Sequence, residues 1–275
     1  MRMNDSKNHD GSHDRPHGGA DGGPHVGLFV TCLVDLMRPA VGFATADLLT
    51  RAGCRVDVPA AQTCCGQPAY NSGDSANARD IAKQVIEVFE GFDYVVVPSG
   101  SCGGTLKKHY PEMFRDDQDW RPRAEKISNK TFELTQFLAD ILGATIETPG
   151  WVKSVTYHDS CSGLRELGIK AQPRELLSKV NGLTLIEGAE SEVCCGFGGL
   201  FCIKYGEISE QIVHAKVEDI ATTGADMVLG GDLGCLMNIA GRLKRLGRDT
   251  EVRHIAEVLA GMHDVAAIGD GEPRD

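Results

Sequence analysis

The feature that most constrains this chain is a duplicated arrangement of cysteine. Cys32 is followed by Cys64-Cys65-Gly66 and then by Cys102. Cys161 is followed by Cys194-Cys195-Gly196 and then by Cys235. The offset between equivalent positions is nearly constant at about 130 residues, too long for a solenoid period, and means two copies of one domain. With 10 cysteines and 33 glycines in 275 residues, Cys-Cys-Gly is expected by chance far less than once. Two occurrences with matching flanks mark a duplication, and the fold has to bring four thiols together twice.

The hydropathy pattern between the cysteines shows how. Residues 25–30, 55–58 and 94–98 read as buried strands, and residues 39–52, 76–89 and 121–142 as helices. The order recurs, with strands over 152–157, 184–186 and 226–230 and helices over 173–180, 207–222, 236–246 and 255–261. Alternating strands and helices imply α/β architecture. The reading is two tandem Rossmann-like halves with mainly parallel sheets, over residues 26–148 and 149–275. Residues 1–25 hold three hydrophobic side chains, five glycines and four histidines, which reads as a disordered tail. Each cysteine element follows a strand. In a parallel sheet all strand C-termini share one edge, where ligands bind, so the three loops of each half converge.

Charge narrows the function. Lys and Arg number 28 against 39 Asp and Glu, for a net charge of −11. A nucleic-acid binder needs a basic face, and docking on an anionic membrane needs one too. No apolar run approaches membrane-spanning length, and residues near Met1 contain no apolar signal core, so the expected location is cytoplasmic. Disulfides do not persist there, so ten cysteines point toward metal ligation or redox chemistry. Adjacent cysteines suit neighbouring irons of a polynuclear cluster better than one small ion. Four thiolates per half also fit structural zinc, and buried or disulfide-bonded cysteines are the third alternative. The chain has no Cys-x-x-Cys, which excludes a thioredoxin pair and a ferredoxin run. It has no Gly-x-Gly-x-x-Gly either, so no dinucleotide or flavin site is indicated.

At these residues the sequence resembles the cysteine-rich CCG-domain family of Fe–S oxidoreductases. That family includes the cysteine-rich component of heterodisulfide reductase and the iron–sulfur subunit of glycolate oxidase. The resemblance rests on Thr31-Cys32-Leu33, Thr63-Cys64-Cys65-Gly66-Gln67-Pro68, Gly100-Ser101-Cys102, Cys194-Cys195-Gly196-Phe197-Gly198-Gly199 and Asp232-Leu233-Gly234-Cys235, and covers residues 26–262. It implies one cluster per domain, two 4Fe–4S clusters in all, held by Cys32, Cys64, Cys65 and Cys102 and by Cys161, Cys194, Cys195 and Cys235. It implies oxidation of a small 2-hydroxy acid, L-lactate, to pyruvate together with two partner subunits, one ferredoxin-like and carrying its own Fe–S clusters. Glycolate, glycerol 3-phosphate or a disulfide are alternative substrates within the family.

The fullest family motif ends in Cys-x-x-Cys. Here Ser99 and Asp232 occupy the first position of that pair, so either oxygen could act as an iron ligand or simply as a polar turn residue. His158 stands before Cys161 at a strand end and could relay protons or donate a hydrogen bond to a cluster sulfur. Cys54 reads as a core residue, Cys202 as structural or in contact with a cluster, and His109 as a helix-surface residue. Gly103-Gly104 and Gly198-Gly199 could present backbone N–H groups or merely permit turns.

Overall fold

The computed structural model describes residues 22–148 and 150–270. The tail assigned to residues 1–25 therefore falls almost wholly outside the described residues. Two four-stranded, all-parallel sheets form the frame. The first is ordered β2-β1-β3-β4, with β1 at His25–Leu28, β2 at Arg55–Asp57, β3 at Tyr94–Val97 and β4 at Thr131–Glu133. The second repeats the order as β6-β5-β7-β8, with β5 at Lys153–His158, β6 at Leu183–Leu185, β7 at Met227–Gly230 and β8 at Glu251–His254. Registers correspond: Val26 pairs with both Val56 and Tyr94, and Val155 pairs with both Leu185 and Met227. In each sheet the order reverses between the first and third strands. That switch point opens a crevice at the strand C-termini.

The last strand of each sheet was not foreseen. Residues 121–142 form the helix Trp120–Lys130, then β4, then the short helical turns Leu134–Gln136 and Phe137–Ile141. β8 precedes the helix Ile255–Ala260. Both are short strands with charged residues at their ends, so their apolar signal is weak. Pairing supplies what local pattern lacks: Val95–Val97 bind Thr131–Glu133, and Met227–Gly230 bind Glu251–His254.

Strand alternation divides the core. Val95 and Val97 point to one face and pack with Phe29, Val85, Tyr110, Phe114 and Ile127 in a core belonging to the first half. Val26 and Val96 point to the other face and join a second core with Leu134, Val155, Leu176, Met227 and Leu259. This second core is shared by both sheets. The two halves are therefore joined by apolar burial, the dominant favourable term in folding.

The join is reciprocal. The helix Pro39–Arg51 of the first half packs against Ile255–Ala260, while Ala171–Ser178 of the second packs against the turns after β4. Arg38 Nε donates to Glu257 Oε1 at 2.8 Å, with the Glu257 side chain fully buried. Trp151 Nε1 donates to the Val258 carbonyl at 3.1 Å.

Candidate metal centres

In the first half, Cys32 opens the helix Cys32–Met37, capped by Thr31, whose side chain accepts from the Val34 N–H. Cys161 opens the helix Cys161–Leu167, capped by Ser160, which accepts from the Gly163 N–H. Both thiols are pushed up, first because each donates to the first cysteine of its pair, Cys64 or Cys194, and then by burial. Cys64-Cys65 and Cys194-Cys195 follow the second strand of each sheet. Cys102 lies in the turn Gly100–Gly104 after β3, and Cys235 in the helix Leu233–Arg245 after β7.

These elements bring together the four cysteines that the duplication singled out in each half. Cys32 and Cys64 have their sulfurs 3.9 Å apart, and Cys65 and Cys102 theirs 3.3 Å apart. Cys161 and Cys194 repeat the 3.9 Å spacing. All ten cysteines are free thiols, and these separations exceed the S–S bond length of about 2.05 Å. Gly66 and Gly196 hold φ of 82° and 81°, a conformation that favours glycine. The turn directs the Gly66 N–H at Cys64 Sγ (3.5 Å) and the Gly196 N–H at Cys194 Sγ (3.3 Å).

Electrostatics sorts the thiols alike in both halves. Cys64 and Cys194 are pulled to about 2, first because they accept from Cys32 and Cys161, with the glycine N–H groups adding to this. Cys65 is pushed up by its contact with Cys102 and by burial, and Cys195 by its contact with Cys194 and by burial. Crowded thiols cannot all ionise without a cation to balance them. The donor set therefore suits a multiply charged metal centre, whose binding releases protons.

His158 gives an independent observation in the second half. It is buried, neither ring nitrogen has a protein partner, and burial pulls its pKa to about 3, with Lys216 adding to the effect. One of its nitrogens and the sulfurs of Cys195 and Cys235 all lie within 4.8 Å of one another. An imidazole left unpaired inside a fold is costly, and a metal–sulfur group beside it would supply the missing partner.

Ser99 and Asp232, at equivalent places in the duplication, meet across the junction. Ser99 Oγ donates to Asp232 Oδ2 at 3.0 Å, and the Ser101 N–H donates to the same oxygen at 2.9 Å. Asp232 lines the cavities beside both cysteine sets. Its Oδ2 thus ties the Cys102 turn to the Cys235 turn.

The two cavities differ in lining. The first, about 280 Å³, is bordered by Leu33, Pro68, Phe197, Leu200 and Ile203 beside its cysteines. The second, about 270 Å³, is bordered by Asn71, His109, Ser160, Ser162 and Glu166. Each borrows from the opposite half. The 197–203 segment covers the first, and Gln67, Asn71 and His109 reach the second. Cys202 joins the wall of the first cavity, its thiol 3.6 Å from the Gly199 carbonyl. Cys54 is a core thiol, pushed by burial to about 11.

His109 is not a surface residue as its helix suggested. It is half-buried at the junction, where Nε2 lies 3.4 Å from Glu166 of the other half, and it packs on the Tyr70 ring at 4.7 Å. Glu166 raises its pKa. Sequence reading missed Glu133 and His254, which end β4 and β8. No motif marks them, because their role depends on the unforeseen fourth strands.

A duplicated parallel α/β protein with a four-thiol site at each switch point defines a class, and comparison with known proteins places the chain within it. The family model described as CCG, cysteine-rich domain, matches residues 26–107 and 155–240. The chain belongs to this family. It is 50% identical over 234 residues to Lactate utilization protein A of Bacillus cytotoxicus, covering 85% of this chain and 98% of that protein. It is equally 50% identical over 234 residues to Lactate utilization protein A of a Geobacillus species, with the same coverage. A crystal structure of a hypothetical protein from Helicobacter pylori shares the fold, with a TM-score of 0.60 at 13% identity over 93% of this chain. This chain spans 52% of that one. No helix among the described residues is long and apolar enough to cross a membrane.

Proposed function

We propose that the chain is the Fe–S subunit of a cytoplasmic oxidoreductase complex that oxidises L-lactate to pyruvate, carrying electrons through one 4Fe–4S cluster in each half. The carrying observation is the repeated convergence of four thiols at the two switch points, in a chain half-identical to proteins named for lactate utilization. Cys32, Cys64, Cys65 and Cys102 would hold one cluster, and Cys161, Cys194, Cys195 and Cys235 the other. When bound, such clusters supply one-electron acceptance and donation.

This chain's own residues do the rest. The Gly66 and Gly196 N–H groups point at the thiolate most readily ionised and reinforce its charge. Thr31 and Ser160 hold the helices that aim Cys32 and Cys161. His158 faces its own cysteine pair, where an N–H from a neutral ring would donate to sulfur and raise the reduction potential. Asp232 fixes the distance between the two sites through Ser99 and Ser101. A 2-hydroxy acid loses two electrons on becoming a 2-oxo acid, which matches two one-electron centres. In this reading a ferredoxin-like Fe–S subunit and a third subunit complete the complex.

The test is iron, zinc and sulfide analysis with EPR of anaerobically purified protein before and after reduction. The expected result is about 8 iron and 8 sulfide per chain, four of each per cluster, with cluster signals. About two zinc and no iron, at one ion per four-thiol site, would make the chain a zinc-stabilised scaffold and overturn the reading.

A further inference from the structure

Between the two cysteine sites lies a buried carboxyl that the redox reading leaves without a task. Glu133 ends β4 and is 3% exposed. Its Oε2 accepts from the Thr135 N–H at 2.7 Å, from Thr135 Oγ1 at 2.5 Å and from the Gln136 N–H at 3.3 Å. Its Oε1 is buried and has no partner. Glu133 borders a small cavity of about 10 Å³, lined also by Gly100, Tyr157, Ser160 and Gly231. This is roughly the room one water molecule needs. A side chain at Gly231 would fill it, since a Cβ there would lie 3.3 Å from both Glu133 Oε1 and Tyr157 Oη.

The position joins the two sites. Glu133 packs beneath the turn that carries Cys102, where a Cβ on Gly103 would sit 4.0 Å from its own Cβ. Across the cavity, Gly231 precedes Asp232 in the turn that leads to Cys235. Burial raises the Glu133 pKa to about 7, and the Asp232 charge adds to this. Tyr157 and Asp159 face it from the end of β5, and Asp159 is neutralised by Arg174 at 2.8 Å. Lys107, from the turn above, is engaged elsewhere: its Nζ donates to the Ser128 and Thr131 carbonyls and lies 4.6 Å from the centre of the Phe132 ring. Among the described residues, no cation therefore pairs with Glu133.

Each electron delivered to a buried centre adds negative charge where dielectric screening is weak. A nearby carboxylate then gains affinity for a proton. We propose that Glu133 is the redox-linked proton acceptor of this protein, taking one proton from water through the cavity as one electron arrives and releasing it on reoxidation. The inference rests on the function proposed above. The balance is one electron from a chemical reductant, or one of the two electrons that a 2-hydroxy acid releases with two protons on yielding a 2-oxo acid, the second electron passing to the other four-thiol centre and the substrate's protons to water. One O–H bond forms at Glu133 Oε1, and the electron remains at the thiol-bound centre.

The test is a redox titration of the iron-loaded full chain, followed by EPR from pH 6 to 9, for the wild type, Glu133→Gln and Glu133→Asp. The wild-type midpoint should fall by about 59 mV for each tenfold drop in proton concentration, the one-electron Nernst value, between the pH at which the oxidised-state carboxyl loses its proton and the higher pH at which the reduced-state carboxyl does. Glu133→Asp should keep a slope, and Glu133→Gln should be flat. A pH-independent wild-type midpoint overturns the proposal, as does an unchanged slope in Glu133→Gln at full iron content. Should Glu133→Gln lose iron, reduced-minus-oxidised infrared spectra of wild type and Glu133→Asp decide. A carboxylic C=O band that appears on reduction and shifts in the variant supports the proposal, and its absence overturns it. A chain that binds no iron at all fails the functional reading instead, and the metal assay separates the two failures.

Discussion

The two cysteine sites share a backbone and differ in what surrounds it. Both place one thiol at a helix N-terminus, two after a second strand and one after a third. Both aim a positive-φ glycine N–H at the first cysteine of the pair. Yet the carbonyl of the second cysteine is held by the Tyr110 hydroxyl in the first site (3.0 Å) and by the Asn238 amide in the second (2.8 Å). The first cavity is mostly apolar, whereas the second is of mixed character, with Asn71, His109, Ser160, Ser162 and Glu166 in its wall. Glu133 stands at the end of one fourth strand, His254 at the end of the other. Duplication thus preserved the groups that gather the thiols and released those that decide who approaches them. An apolar wall suits contact with another protein surface, and a wall of mixed character with a few polar groups suits a small molecule.

The largest effect that would break this comparison is loss of one site without the other. Cys65→Ser and Cys195→Ser should each remove about half the iron and sulfide, each leaving the remaining cluster's EPR signal intact. Full iron in either variant would sink the assignment of that cysteine as a ligand. The join between halves gives the next effect. Arg38→Met strands the buried Glu257 carboxylate, and removing one partner of a buried pair costs about 3–5 kcal/mol. A urea melt should record this as a lower midpoint with the slope unchanged.

Glu133 and His254 should then show opposite pH dependence. Glu133 sits at about 7 against an ordinary 4.5, so the folded protein holds its proton longer than the unfolded chain does. Stability attributable to it is full below about 4.5 and falls as pH rises toward 7, by about 3 kcal/mol at 1.36 kcal/mol per unit. Glu133→Gln should abolish that fall in denaturant melts across the window. His254 is held below its usual 6.5 by burial, so its contribution is lost as pH drops through 6.5, and His254→Asn should flatten that acid limb.

The smallest contrast concerns the two turn glycines. A Cβ on Gly196 would meet the Ser209 carbonyl at 2.8 Å, whereas on Gly66 its nearest neighbour would be an Ile81 methyl at 3.3 Å. The left-handed conformation alone costs about 1–2 kcal/mol for alanine. Gly66→Ala should therefore lose about that much, and Gly196→Ala measurably more. Equal losses would show that the second turn can relax.

Legibility followed signal strength. Six strands lie close to where hydropathy put them, because Val-rich runs such as Tyr94–Val97 have few alternative states. β4 and β8 escaped because Thr-Phe-Glu and Glu-Val-Arg-His carry little apolar weight, and they become strands by pairing with β3 and β7. Grouping Cys32 with Cys64, and Cys161 with Cys194, was readable from the repeat. The reach of His109, Gln67 and Asn71 into the opposite half was not, since neither periodicity nor motif encodes a partner so far along the chain.

The sequence by itself determined that there are two α/β copies and which eight thiols belong together, because hydrophobic period and cysteine spacing are local quantities repeated twice. Only the tertiary structure decided that Asp232 bridges the sites, that each cavity is walled by the opposite half, and that Glu133 lies between them with Oε1 buried and unpartnered. Those properties come from how two sheets pack through a shared apolar core. Packing sets distances between residues that share no neighbourhood in the chain, and on those distances burial and charge then act.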